Sequence, residues 1–101
     1  MEIKMGSFYM EKYDEFFKAI CKLSSVEDCK KFFEDVCTIK ELEDMSGRLD
    51  VARLLRDGKS YQEVSKETGA STATISRVNK CLNYGAGGYA IVLGEEVKKG
   101  D

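Results

Sequence analysis

The stretch YQEVSKETGASTATISRVNK, residues 61–80, decides how this chain is read. Ser60 just before it and Glu63 within it have the spacing of a capping box, which starts a short helix over 61–68 with Val64 facing inward. Gly69 permits the positive φ of a tight inter-helix turn, and Ala70 is small and apolar enough to tuck beneath it. Ser71 or Thr72 then caps a second helix running to about Leu82, with Ile75, Val78 and Leu82 on its buried face. Ser65 supplies a small residue where the two helices cross. The pattern predicts a helix-turn-helix, with a plain helical hairpin as the alternative.

With Ile75 and Val78 turned in, Ser71, Thr72, Ala73, Ser76, Arg77 and Lys80 turn out. Such a face suits the edges of bases in a groove: hydroxyls that donate or accept, a methyl for thymine, an arginine for guanine O6/N7 and a lysine for phosphate. We expect base contacts from Arg77, Ser76 and Thr72. Lys80, Lys59 and Gln62, helped by Tyr61 and the free amides of the second helix, are the expected phosphate contacts. The plainer readings are that small polar residues keep an exposed helix in solution, or that the unit serves a protein contact.

Charge points the same way. The whole chain carries a net charge of −2, but residues 1–45 hold seven Lys/Arg against eleven Asp/Glu, while residues 46–101 hold nine against seven. From Thr68 to Gly94 there is no carboxylate at all. A solvated helix ordinarily mixes both signs, so a one-sided segment in an acidic chain suggests a polyanionic partner, namely double-stranded DNA.

Working outward, TIKELEDMSGRLDVARLLRDGKS reads as the longest helix. Thr38 and Glu41 form a second capping box, Ile39, Leu42, Met45, Leu49, Ala52 and Leu55 trace one face, and Gly58 ends it. Gly47 in its interior costs about 1 kcal/mol relative to alanine and suggests a close approach by another backbone or a ligand near Arg48. Before it lie two amphipathic helices, marked by Tyr13, Phe16, Phe17, Ile20 and Leu23, then by Val26, Cys29, Phe33 and Val36, with Ser25 as a cap. All five phenylalanines, Phe8, Phe16, Phe17, Phe32 and Phe33, fall in this first third. That is more aromatic surface than two short helices can hide, which predicts a subunit interface; cover by the C-terminal half is the alternative. After Tyr84, glycines end the reading helix, YAIVL is a short strand or an arm on a partner, and EEVKKGD is a mobile end.

The expected organisation is one all-α domain over 1–101: N-terminal dimerisation helices over 1–37, a long central helix over 38–58, the helix-turn-helix over 60–83 and a tail over 84–101. A chain of 101 residues buries a modest core alone, so a homodimer is expected. Histidine is absent, which removes Ser-His-Asp and Cys-His catalysis and the usual mixed zinc sites. No enzyme, no metal and no cofactor are expected. Cys21, Cys29, Cys37 and Cys81 lack CxxC spacing and read as reduced, buried thiols. No apolar run approaches a membrane span and MEIKMGSFYM lacks the form of a signal peptide, so a cytoplasmic protein is expected. The tail glycines lack GK[ST], which argues against a phosphate loop.

The segment GRLDVARLLRDGKSYQEVSKETGASTATISRVNKCLNYG resembles the Trp repressor superfamily. With FFEDVCTIKELEDM and the GAGGY tail, it is similar to the YerC/YecD-type branch of bacterial regulators. The resemblance covers about residues 13–90, and GASTATISRVNKCLNYG is its most specific part. It implies an all-helical, intertwined homodimer acting as a bacterial transcription regulator, most often a repressor, whose second helix docks in the major groove. In tryptophan-responsive members a threonine, two arginines, a glycine and a serine grip the corepressor. Thr38, Arg48 and Arg77 match the first three, while Val78 and Cys81 stand at the glycine and serine positions. Those two replacements argue against tryptophan and for a different small effector or none. The rival functional reading is a helical dimer that binds a protein partner without DNA.

Overall fold

In the computed structural model, which describes residues 10–94, the chain is helical throughout and no strand occurs among the described residues. A short 3₁₀ turn, Glu11–Tyr13, leads into α1 (Asp14–Ile20), followed by α2 (Val26–Val36), α3 (Ile39–Arg56), α4 (Tyr61–Thr68), α5 (Thr72–Tyr84) and α6 (Gly88–Leu93). Phe8 and the final EEVKKGD lie outside the described residues. The chain divides into two compact units, one ending at Leu42 and the other beginning at Glu43. No helix among the described residues is long and apolar enough to cross a membrane.

Helix starts fall where hydroxyl caps predict them. Ser25 Oγ accepts from the Asp28 N–H at 3.0 Å to start α2. Thr38 and Glu41 form a reciprocal pair at the head of α3: the Glu41 N–H donates to Thr38 Oγ1 at 3.1 Å, and the Thr38 N–H donates to Glu41 Oε1 at 2.8 Å. Ser60 and Glu63 repeat this at α4, and Ser71, rather than Thr72, caps α5 by accepting from the Thr74 N–H at 3.1 Å. Helix α3 ends in a Schellman motif. Gly58 turns at φ +88°, its N–H reaches the Leu55 carbonyl and the Lys59 N–H reaches the Leu54 carbonyl.

The second unit contains the buried core. Val51, Ala52, Val64, Ile75 and Val78 are buried, and Leu54, Leu55, Ala70, Leu82, Tyr89 and Leu93 pack around them. Burial of each valine or isoleucine among them contributes about 1.5–3 kcal/mol. The core therefore ties α3, α5 and α6 together through two to four residues from each and holds α4 through Val64. The face expected for α3 is only half right: Ala52 and Leu55 pack inward, but Ile39, Leu42 and Met45 are exposed. Val51, which lies off that stripe, is buried because α3 carries apolar side chains on more than one side.

Two further expectations are corrected. The YAIVL segment is not a strand: it belongs to α6, where Tyr89 and Leu93, four residues apart, meet the core on one helical face. The thiols are free, but they are not buried. Cys21, Cys29 and Cys81 are exposed and Cys37 is half-buried. No residue in the first unit is buried among the described ones, so the apolar face of α2 that carries Cys29 lies open.

The first unit holds its aromatic rings in a chain of tilted and edge contacts. Phe16 and Phe17 lie 5.6 Å apart, Phe16 and Phe32 6.3 Å, and Phe32 and Phe33 5.2 Å in a T-shaped pair. These rings remain partly accessible, with Phe16 42% and Phe17 39% exposed. Beside them Val26, Cys29, Phe33, Cys37, Ile39 and Leu42 line an open apolar groove of about 580 Å³.

Candidate functional site

The site is built on α4, the turn after it and α5. Glu63 holds the start of α4 by accepting from the Ser60 N–H at 2.8 Å while Ser60 Oγ accepts from the Glu63 N–H at 3.1 Å. The bond from the Ser60 backbone holds the Glu63 carboxyl below the usual carboxylate range, with smaller contributions from the Ser60 side chain and Lys59. At the other end of α4, Gly69 adopts φ +80°, the left-handed region, and its N–H closes the helix on the Ser65 carbonyl at 2.8 Å. An open space surrounds the position a side chain would take there, so the turn needs glycine for its backbone angle and not for room.

Helix α5 then runs 13 residues with Ile75 and Val78 buried. Lys59, Gln62, Ser71, Thr72, Ala73, Ser76, Arg77 and Lys80, the residues predicted to face a partner, are all exposed. Among the described residues neither Arg77 nor Lys80 enters an ion pair, whereas Arg53 is engaged by Asp50 at 2.9 Å. Helices α1 to α4 each carry a carboxylate in the first turn, and α5 carries none. Its N-terminal partial positive charge is therefore not neutralised by a side chain of its own.

Of the residues that the resemblance implies for an effector, those in the second unit do not line one cleft. Arg48 is half-buried in a cleft of about 330 Å³ lined by Glu43, Asp44, Gly47, Thr68, Gly69, Ala70 and Thr74. Thr38 lies in the first unit and is engaged as the cap of α3. Arg77 is exposed, Val78 is in the core, and Cys81 lines another cleft with Leu49, Ala86, Gly87, Gly88, Tyr89 and Val92. Sequence reasoning missed Thr74, although its place next to Ile75 and one turn before Val78 on the helical wheel could have put it at the inner edge of α5. It also missed the hydroxyls of Ser65 and Thr68. Each bonds to the Ala70 backbone at the turn at 3.0 Å, and Thr68 Oγ1 also donates to the Val64 carbonyl within α4 at 2.7 Å. A threonine immediately before the turn glycine is the available signal for that role.

The fold and site define an all-helical protein that presents two helices, joined at a left-handed glycine, with an exposed carboxylate-free ridge on the second. The Trp repressor protein family matches residues 11–97, and the chain belongs to that family. Uncharacterized protein YerC of Bacillus subtilis (strain 168) is 49% identical over 80 residues, spanning 79% of this chain and 77% of the relative. A crystal structure of a TrpR like protein from Eubacterium eligens ATCC 27750 superposes with a TM-score of 0.82 at 42% identity, covering 90% of this chain and 98% of the other. A candidate Trp repressor from Staphylococcus aureus gives 0.84 at 37% identity, covering 96% and 100%. The family and the YerC-type likeness read from residues 13–90 thus hold, as does the all-helical Trp repressor-like fold.

Proposed function

We propose that this protein is a sequence-specific DNA-binding transcriptional regulator, a repressor, that acts as a homodimer with α5 in the major groove. The observation that carries the reading is the two-sided character of α5. Ile75 and Val78 fix one side in the core, while Ser71, Thr72, Ala73, Ser76, Arg77 and Lys80 are all exposed in a helix without a carboxylate. Family membership supports the same reading. The first-turn amides of α5 that Ser71 does not engage, with Lys59 and Gln62, hold phosphates; Thr72, Ser76 and Arg77 meet base edges. A dimer sets two such helices in successive major grooves about 34 Å apart. Retention on random-fragment duplex DNA, compared at low and high salt, tests this: retention that falls steeply with salt is expected. Passage through the column at low salt would replace the DNA reading with that of a protein-interaction module.

For the effector, the cleft beside Arg48 is the candidate location. The burial of Val78 in the core and the thiol at Cys81 argue against tryptophan as the occupant. Thermal melting with tryptophan at millimolar concentration should leave the transition unmoved, because only binding to the folded state raises it. A clear rise would restore tryptophan as corepressor.

A further inference from the structure

Ala70 has both of its backbone polar groups held by hydroxyls of the preceding helix. Its N–H donates to Thr68 Oγ1 at 3.0 Å, and its carbonyl accepts from Ser65 Oγ at 3.0 Å. Thr68 Oγ1 in turn donates to the Val64 carbonyl at 2.7 Å, so that hydroxyl is committed both as donor and as acceptor. Ala70 is half-buried against the core and immediately precedes Ser71, the cap of α5. The direction in which α5 leaves the turn therefore follows from the placement of one residue that α4 grips from two sides. Gly69 supplies the bend, but glycine leaves a wide range of φ and ψ open. The two hydroxyls narrow that range.

Resting on the reading of α5 as the groove-reading helix, the geometry points to Ser65 and Thr68 as positioning residues for DNA sequence discrimination, acting through the orientation of α5 on α4. A helix rises about 1.5 Å per residue, so Arg77 stands roughly 9 Å along α5 from Ser71, and a swing of about 10° moves it roughly 1.6 Å. Hydrogen bonds to base edges demand placement within about 0.5 Å, whereas long lysine side chains on phosphates accommodate larger shifts. Loosening the latch should thus weaken discrimination and spare general affinity.

The test uses the full chain and a randomised duplex pool, from which the parent protein selects its preferred sequence. Affinity is then measured for the selected duplex and for a scrambled duplex of the same composition. Thr68→Val and Ser65→Ala should each lower the selected-to-scrambled ratio about five- to tenfold, the worth of roughly one hydrogen bond, with scrambled-duplex affinity and salt slope unchanged. Thr68→Ser keeps the hydroxyl and should restore the ratio. Amide exchange at Ala70 should quicken in Thr68→Val and return in Thr68→Ser. Ratios equal to the parent's in both hydroxyl deletions would overturn the inference, as would losses of equal size on both duplexes. Should Thr68→Val fail to fold, Ser65→Ala decides alone. A parent that does not distinguish its selected duplex from the scrambled one removes the DNA reading itself, a different outcome from a discriminating parent with indifferent variants.

Discussion

Arg77 and Lys80 share the outer side of α5, yet removing them should have different consequences. Arg77→Ala should cost about 1–3 kcal/mol on the preferred sequence and relax the preference at one base pair, as lost base readout does. Lys80→Ala should weaken every sequence alike and lower the salt slope by about one. Binding isotherms on single-substituted duplexes at several salt concentrations distinguish the two, and parent-like behaviour of both variants would mean that the wrong face has been assigned. A third residue concerns stability. Gly47 sits inside α3 with nothing within 4 Å of the place a Cβ would occupy, so Gly47→Ala should raise stability by about 0.5–1 kcal/mol in urea melts. A loss would point to the close approach expected from the sequence. At this scale the exposed face of α5 was legible: exposure of Ser76 or Arg77 follows from the helical period once Ile75 and Val78 are known to be inside. The partners of Ser65 and Thr68 were not marked, because a hydroxyl can bond to any nearby backbone group and only the folded turn selects one.

At the scale of elements, helices are delimited by short-range chemistry. A cap and its acceptor lie three residues apart, so Ser25, Thr38, Ser60 and Ser71 announced four helix starts that the structure bears out. Burial is decided by neighbours far along the chain, and there the reading failed in part. Val51 was left out of the predicted buried face and the segment YAIVL was misread as a strand or arm, because several packing partners were open to each. The Ser60–Glu63 box also sets an acid response. Its folded-state carboxyl titrates below its unfolded one, so its contribution is fully present above the unfolded pKa and disappears as pH falls through the folded value. Melting followed across the acidic range should show this loss in the parent and a flatter limb in Glu63→Gln, which keeps a side-chain oxygen but no titrating proton. Ser60→Ala should cost about 1 kcal/mol at neutral pH.

For the whole molecule, the arrangement of exposed apolar residues matters most. Ile39 is 77% and Val26 70% exposed, and both border the open groove of the first unit. In a monomer, Ile39→Lys would be nearly silent, since surface substitutions usually change stability by less than about 0.5 kcal/mol. In a dimer closed over this groove the same change buries an unpaired charge. We therefore expect Ile39→Lys to weaken self-association at least a hundredfold in sedimentation equilibrium, about 3 kcal/mol or more, with helicity retained. An unchanged association constant would place the interface elsewhere. The sequence foretold surplus aromatic surface but not which side chains line the groove, since that depends on how α2 and the start of α3 meet.

The thiols on that same surface offer a native reporter. Cys29 and Cys37 line the groove, whereas Cys81 lies in the other unit. If the proposed homodimer closes over this groove, their alkylation by a small haloacetamide, resolved site by site by mass spectrometry, becomes a clock for its assembly. Dilution should speed the reaction at Cys29 and Cys37 while leaving Cys81 as an internal reference, with no label introduced into the chain.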